Sequence, residues 1–398
     1  MYISYIAGSS LQVSLMKLLP TLAISSYSIS LYFITISSPV YAGAIGKNNQ
    51  DNNDYPTKNI LSSAISSVAG QLENQKVDFY KFSNLDTGNL FTAEVNSQSF
   101  DPLLGQLDDF GKIIAINDDQ SDNNVLPILT GEIPTSGSLN FAVSGLRDID
   151  LRGDHFESGS YKLSLKTFPF PSSSTNATLV NGGFESGNFT GWTTLGSTTI
   201  ETKKFGSNPT QGNSQALLST GGATFDAPII EKLLVLKDTS LNNFGKGGVT
   251  KGSAIQQKFT AKAGDSLSFD WNFLTNEVLP PVIFSDFSFV SITSSDNSVN
   301  SLLELADVTK ATLEFPQTEF FKETGFRTFS FKLPTTGTYT LGVGVIDVGD
   351  SNIDSGLLVD NFKSTSVPEP TNQLSLLGFS TLLLLKFWRK IYPRISHK

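Results

Sequence analysis

Short runs of alternating apolar and polar residues recur along the middle of the chain. Residues 91–95, for example, read Phe-Thr-Ala-Glu-Val. A period of two predicts a strand with one buried face. Similar runs lie at 139–143, 161–165, 267–273, 329–333 and 339–345. Turns rich in Gly, Asn and Asp separate the runs, so the sequence predicts an all-β chain built from β-sandwiches.

The length of the chain suits two such sandwiches. With 398 residues it can bury two separate cores and still carry targeting sequence. We expect one domain at 55–168 and a second at 178–365, since residues 169–177 between them are rich in Pro and Ser, as in a linker.

Composition and charge narrow the functional classes. The chain has no Cys, which excludes disulfides, thiolate metal sites and cysteine nucleophiles. Lys17 and five bases in 386–398 are the only charged residues in 1–44 and 386–398, so the middle holds 22 of the 28 bases and all 37 acids. So acidic a middle segment argues against nucleic acid as a partner and favours cations and neutral polymers.

The N-terminal residues 1–44 have the pattern of a secretory signal peptide. An apolar and hydroxyl-rich stretch, 18–42, ends in small residues that would allow cleavage after Ala42 or Ala44. Lys17 directly follows Met16, so translation starting at Met16 would give a signal of ordinary length. An uncleaved N-terminal anchor is the alternative.

The C-terminal residues 366–398 combine three elements in order. Pro368, Glu369 and Pro370 precede an apolar segment predicted to form a transmembrane helix at 373–388, and a basic cluster follows. This order resembles the PEP-CTERM sorting signal of bacteria that make extracellular polysaccharide. The resemblance implies an exosortase-type membrane protease that cuts near the Pro-Glu-Pro motif. The precursor would then lie transiently in the inner membrane, and the product at the cell surface or in the extracellular matrix. A plain tail anchor is the alternative.

The first predicted domain resembles the bacterial pre-peptidase C-terminal (PPC) domain, a non-catalytic accessory β-sandwich. The residues that carry the resemblance are Asp78-Phe79-Tyr80-Lys81-Phe82, Asp101-Pro102-Leu103-Leu104, Leu107-Asp108-Asp109-Phe110-Gly111, Asn117-Asp118-Asp119 and Gly159-Ser160-Tyr161-Lys162-Leu163.

Loop aspartates in this first domain favour a calcium site. Carboxylates crowded on loops are the oxygen ligands that Ca²⁺ prefers. The alternative is that these side chains only cap turns. The candidate ligands are Asp101, Asp108, Asp109, Asp118 and Asp119.

The second predicted domain opens with Asn-Gly-Gly-Phe-Glu at 181–185, followed by Gly191-Trp192, and closes with Val-Asp-Asn-Phe at 359–362. These ends resemble jelly-roll modules that include many carbohydrate-binding domains. First and last strands are neighbours in such folds, so Glu185 and Asp360 are expected to share one structural cation. Alternatively, Glu185 caps a turn and Asp360 pairs with a nearby base.

Sugar binding needs exposed aromatic faces beside amides and carboxylates. Trp192 and Trp271 are the candidates in the second domain. Both stand in strand or motif contexts, which favours a place in the core over a binding platform.

The sequence offers little for catalysis. His155 is the only histidine outside the tail, and we expect it on an exposed loop. No nucleophile elbow, zinc-protease, P-loop or dinucleotide motif is present, although a pair of carboxylates leaves a glycosidase open. The leading hypothesis is a non-catalytic surface protein associated with extracellular polysaccharide. The alternatives are a polysaccharide-binding adhesin and a secreted hydrolase.

Overall fold

The computed structural model describes residues 59–62, 66–121, 124–244, 248–277, 285–314, 316–349 and 353–366. The signal peptide with Ala42 and Ala44, and the sorting motif Pro368, Glu369 and Pro370 with its apolar segment, lie outside these ranges and stay predictions. Within the described residues, no helix is both long and apolar enough to cross a membrane.

Two sheets form a first sandwich. One sheet has the strand order β1-β3-β8-β5-β6 and the other β2-β9-β4-β7, and apart from the parallel pair β1–β3 all neighbours are antiparallel. The strands are β1 Asn59–Ser62, β2 Ser67–Leu72, β3 Asp78–Ser83, β4 Leu90–Ser97, β5 Pro102–Leu107, β6 Ile113–Asn117, β7 Ile128–Glu132, β8 Leu139–Gly145 and β9 Gly159–Phe168.

The core of this first sandwich is built by the alternation seen in the sequence. Phe91, Ala93 and Val95 of β4 face the same buried cluster as Phe141 of β8 in the opposite sheet. Two tyrosines place hydroxyl groups in that layer: Tyr161 donates to the buried Asp78 at 2.7 Å, and its hydroxyl lies 2.5 Å from that of Tyr80. Burial first, then the charge of Asp78, raises the pKa of Tyr80, so both phenols stay protonated donors.

Two larger sheets form a second sandwich. One has the order β10-β15-β22-β17-β18, with β11 and β14 also pairing with β15, and the other has the order β12-β13-β23-β16-β20-β19, with β21 pairing with β16. The strands are β10 Thr175–Asn176, β11 Thr193–Leu195, β12 Ser197–Glu201, β13 Gln215–Ser219, β14 Phe225–Asp226, β15 Val249–Ala261, β16 Ser266–Thr275, β17 Phe287–Ser294, β18 Asn300–Asp307, β19 Leu313–Glu314, β20 Lys322–Glu323, β21 Arg327–Lys332, β22 Gly337–Val348 and β23 Ser355–Thr365. Single 3₁₀ turns lie at Lys203–Phe205 and Val308–Lys310.

The motifs that open and close the second predicted domain meet in this structure. Phe362 donates its backbone N–H to the carbonyl of Gly182 at 2.9 Å. A Cβ at Gly182 would lie 2.0 Å from the carbonyl oxygen of Phe362, so only glycine permits this approach. Phe184 and Trp192 pack with Phe362 in the core, where their ring centroids lie 4.7–6.1 Å apart.

Helices cover the outer side of one sheet of the second sandwich. The helix α1 (Ala227–Leu234) has Pro228 in its first turn and buries one apolar face against β15 and β22. A shorter helix, α2 (Ser240–Phe244), is held by Glu231, a buried residue of α1 that accepts the backbone N–H groups of Thr239 and Leu241.

The same apolar layer joins the two sandwiches. Leu90 of β4 is fully buried in a cluster otherwise formed by α1, α2 and their sheet, and Phe168 and Phe170 pack against this cluster from the connecting segment. Lys232 of α1 forms an ion pair with Glu132 of β7 at 2.9 Å. The predicted all-β sandwich architecture is confirmed, whereas the sequence analysis missed the helical layer.

Candidate functional site

A polar cleft of about 290 Å³ lies where the first sandwich meets the second. Residues from both sandwiches line it, in segments far apart in sequence. These residues are Gln120, Ser121, Ser197, Thr199, Glu201, Leu217, Ser219, Gly221, Gly222, Asn276, Glu319, Phe320 and Asp354.

One wall of the cleft is the paired strands β12 and β13. Side chains alternate across a strand, so Ser197, Thr199 and Glu201 lie on the same side of β12. Ser197 pairs with Ser219 of β13, which extends this polar wall to the next strand. Thr199 donates its hydroxyl to Glu201 at 2.8 Å, which holds that carboxylate in place beside the opening.

The rim on the other side belongs to the first sandwich. The carbonyl of Gln120, in the segment between β6 and β7, accepts the backbone N–H of Gly222 at 2.5 Å. Thr130 of β7 donates its hydroxyl to the carbonyl of Thr224 close by. These bonds, together with the apolar layer around Leu90, fix the width of the cleft.

The base of the cleft combines a carboxylate, an amide and apolar side chains. Asn276 donates its backbone N–H to the carbonyl of Asp354 at 3.0 Å and accepts the N–H of Phe321 on its side chain at 2.9 Å. Phe320 packs with Leu217 in a small apolar cluster. A Cβ at Gly221 would lie 2.5 Å from both carboxylate oxygens of Asp354, so a larger residue there would displace this carboxylate.

The lining is acidic and rich in hydrogen-bonding groups. Among the described residues of the lining there are three carboxylates, two amides and four hydroxyls, and no Lys or Arg. Such a surface disfavours anionic ligands and suits polyhydroxyl compounds, whose hydroxyls both donate and accept. Leu217 and Phe320 lie beneath this polar surface and are themselves only 6% and 4% exposed.

A second cleft, of about 440 Å³, lies at the segments 177–178, 260–265, 336–338 and 364–366. The described residues of its lining include no aromatic side chain, and their one carboxylate, Asp265, accepts the backbone N–H of Lys262 in a local turn. Its chemistry is therefore poorer for recognising a sugar than that of the cleft between the sandwiches.

The structure separates the five candidate calcium ligands of the first sandwich. Asp108 accepts the backbone N–H groups of Phe110 and Lys112 in the turn between β5 and β6. Asp109 accepts Lys81 at 3.5 Å and Asn140 at 3.2 Å. Asp108 therefore stabilises a turn, and Asp109 connects to two neighbouring strands.

Asp118 and Asp119 lie near enough to Asp101 for their charges to act on it. Burial, and then the negative charges of Asp119 and Asp118, raise the pKa of Asp101. One carboxylate oxygen of Asp101, Oδ1, is buried and has no hydrogen-bond partner among the described residues. An unpaired carboxylate oxygen near two further carboxylates fits an oxygen-binding cation.

Glu185 and Asp360 hold the same loop, 210–214. Glu185 accepts the backbone N–H groups of Asn213 and Ser214 at 2.8 and 2.9 Å. Asp360 is fully buried and accepts the N–H of Gln211 at 2.8 Å. It stands beside a β-bulge in which Asn361 has a positive φ of 57°.

A buried amide adds to this second candidate site. Gln215 starts β13 directly after the loop, is fully buried, and leaves its Oε1 without a partner among the described residues. Burial, as the largest effect, raises the pKa of Asp360. A cation near these oxygens would offset the free-energy cost of burying the Asp360 carboxylate in its charged form. The residues present therefore fit a structural metal ion.

The structure also contains an acidic cluster that the sequence analysis did not identify. Oxygens of Asp148, Asp150 and Asp154 lie within 4.8 Å of one another. Asp148 is buried, and it accepts Ser144 and the backbone N–H groups of residues 152–154, which outweigh burial and lower its pKa. This carboxylate organises a turn and has little capacity left for an ion.

The aromatic residues sort as the sequence predicted. Trp192 and Trp271 are 7% and 6% exposed and lie in the core of the second sandwich, so neither is a platform. The described aromatic residues with large exposed faces are Phe110 and Phe156, on loops of the first sandwich.

The expectation of an exposed His155 is wrong. Its side chain is 4% exposed, its Nε2 lies 2.8 Å from the carbonyl of Lys76, and its Nδ1 accepts the N–H of Glu157 at 3.1 Å. Nδ1 is thus an acceptor and Nε2 the donor, so the ring is neutral and fully engaged. A packed loop, which the local sequence does not reveal, turns the ring inward and removes the one histidine base of the described residues.

Neither a protein-family model nor a curated protein matches the chain. Among solved structures, the carbohydrate-binding module TmCBM61, solved with β-1,4-galactotriose, is similar at 16% identity and a TM-score of 0.28, over 49% of this chain and 100% of that one. The pre-peptidase C-terminal domain of a Bacillus anthracis collagenase is similar at 16% identity and a TM-score of 0.22, over 29% and 100%. The cellulose-specific module CBM28 is similar at 11% identity and a TM-score of 0.27, over 48% and 97%. TM-scores this low carry no conclusion about the function of this chain.

Proposed function

We propose that this chain is a non-catalytic, exported protein that binds neutral polysaccharide in the cleft between its two sandwiches. The observation that carries the proposal is the lining of that cleft, whose described residues offer carboxylates, amides and hydroxyls and include no Lys or Arg. The hydroxyls of a sugar ring both donate and accept hydrogen bonds, and a lining of carboxylates, amides and hydroxyls can satisfy them.

The surrounding residues favour binding over catalysis. His155, the one histidine of the described residues, is buried with both ring nitrogens engaged, so it cannot act as the base of a hydrolytic triad. The carboxylates in the cleft make a glycosidase the alternative hypothesis.

Export and surface display complete the proposal. The acidic, cysteine-free chain with its signal-like 1–44 and its Pro-Glu-Pro tail suits a protein that an exosortase-type protease releases into a polysaccharide matrix. Calcium is proposed as a structural ion at two places: near Asp101, Asp118 and Asp119, and near Glu185 and Asp360. The buried unpaired oxygens of Asp101 and Gln215 support these two positions.

We expect the full chain to bind at least one of soluble cello-oligosaccharides, xylan and galactan, and Glu201→Gln to weaken that binding about tenfold to a hundredfold. A hydrogen bond to a charged group contributes about 1.5–3 kcal/mol, which is the source of that range. Isothermal titration measures the affinity, and Glu73→Gln, an exposed glutamate outside the cleft lining, is the control. Absence of binding to all three polymers would contradict the proposal. Cleavage of a chromogenic glycoside that Glu201→Gln abolishes would instead identify a hydrolase.

We expect millimolar Ca²⁺ to raise the melting temperature of the full chain. An ion that binds only the folded state stabilises it by about 2.7 kcal/mol at a hundredfold excess over its dissociation constant. Asp360→Asn should reduce the shift, as should Asp118→Asn combined with Asp119→Asn, whereas Asp238→Asn, at an exposed position, should not. Identical melting curves in calcium and in chelator would rule out both sites.

We expect the mature protein to begin after Ala42 or Ala44 and to lack residues 386–398. Intact mass spectrometry of surface-exposed protein measures both ends. Replacing Pro368, Glu369 and Pro370 with alanine should leave the precursor in the membrane, because the protease would lose its recognition motif. An intact basic tail on most of the surface-exposed protein would favour the simple tail anchor.

A further inference from the structure

The inward-facing positions of the second sandwich change from apolar to oxygen-bearing at one end of the core. On β22, Val343 and Val345 lie in the core, and Asp347 continues the same side two residues later. Phe287 pairs with Ile346, so Asp286 and Asp347 occupy the next position across the two strands.

The opposite sheet supplies oxygens at the same end. Thr275 follows Phe273 on the inner side of β16, and Ser355 precedes Leu357 on the inner side of β23. The Ser355 hydroxyl lies 2.9 Å from Thr275 Oγ1 within its own sheet and 2.7 Å from Asp286 Oδ2, which adjoins the opposite sheet. The side-chain hydroxyl of Thr220, next to the end of β13, donates to the carbonyl of Ser355 at 3.3 Å and accepts the backbone N–H of Ser355 at 2.8 Å.

Both carboxylates of this oxygen layer are removed from solvent. Asp286 is 2% exposed and Asp347 is 1% exposed. Asp286 Oδ1 accepts the backbone N–H of Val348 at 2.9 Å. Asp347 Oδ1 is buried and has no hydrogen-bond partner among the described residues. A buried carboxylate oxygen without a partner is costly, which indicates a ligand or a proton that satisfies it.

The electrostatics agree with this geometry. Burial, and then the neighbouring charge of Asp286, hold the pKa of Asp347 well above its usual range. Two adjacent buried carboxylates cannot both stay ionised without a counter-charge. The two possible counter-charges are a bound cation and a shared proton.

We infer that a divalent cation of the calcium type binds between Asp286 and Asp347, with the hydroxyls of Thr275, Ser355 and Thr220 around it. The group offers oxygen atoms from two sheets and no nitrogen or sulfur side chain, which suits Ca²⁺ and not Zn²⁺. This site is separate from the two calcium positions proposed above. A cation here would join the ends of five strands and close the core on the side of Asp354, a residue of the cleft lining that also raises the pKa of Asp347.

The test measures the number of calcium ions that the full chain binds, by equilibrium dialysis after treatment with chelator, in the wild type and in variants. Asp347→Asn and Asp286→Asn should each bind one ion fewer than the wild type, and each should lose part of the calcium-dependent rise in melting temperature. Asp286→Asn keeps an amide oxygen that can accept the N–H of Val348, so we expect this variant to fold even if Asp347→Asn does not. Ser355→Ala should weaken the site without removing a charge, and Asp238→Asn, at an exposed position, should bind as many ions as the wild type.

A shared proton predicts the opposite results and would overturn the inference. In that case Asp347→Asn would bind as many ions as the wild type. In saturating Ca²⁺, wild-type stability would still fall as pH rises from 5 to 8, because a carboxyl with a raised pKa stabilises the fold only while it is protonated. The amide of Asp347→Asn mimics the protonated acid, so that variant would then be the more stable protein at pH 8.

Discussion

The fixed contact between the two sandwiches is the constraint on which the candidate site depends. The side chain of Leu90 is not part of the core of the first sandwich. It is buried in the apolar layer formed by α1, α2 and the sheet beneath them. The ion pair of Glu132 with Lys232 and the bond from Gly222 to Gln120 flank this layer. Burying a leucine contributes about 1.5–3 kcal/mol, more than an exposed ion pair does, so the apolar contact dominates. Without it the cleft would lose one rim.

The second sandwich depends in turn on how its ends are closed. At one end the opening loop reaches the last strand, where Gly182 accepts the N–H of Phe362 and loop 210–214 is held by Glu185 and Asp360. At an end of the core, Asp286 and Asp347 replace the apolar side chains. In both places buried oxygen atoms occupy positions where apolar side chains would be usual. Burying these charged groups costs free energy, and a bound cation would offset that free energy and connect the strands that supply the oxygens.

The sequence predicted those parts of the fold that depend on local periodicity. Alternation at 91–95 and 267–273 located strands, and burial of Trp192 and Trp271 followed from their contexts. The helix α1 was missed because eight residues are too short for a clear helical period. The domain boundaries and the targeting segments stay predictions.

The candidate site was largely invisible in the sequence, because its residues extend from Gln120 to Asp354 and only the fold brings them together. His155 was misjudged for the same reason, since the backbone groups that engage it come partly from residue 76. One signal was available: the alternation of Val343 and Val345 on β22 continues to Asp347, which places a carboxylate on a core-facing position.

The most direct test of the central claim is the glycan affinity of a variant in which the two sandwiches separate. Leu90→Asn places a polar group in the shared apolar layer, and Leu90 is absent from the core cluster of the first sandwich, so both sandwiches should remain folded. Hydrogen exchange at the Gly222 amide would report the opening, and titration with the best-bound polysaccharide would report the affinity. A cleft built by both sandwiches predicts faster exchange together with at least a tenfold loss of affinity. Faster exchange with unchanged affinity would contradict it and place the binding site elsewhere.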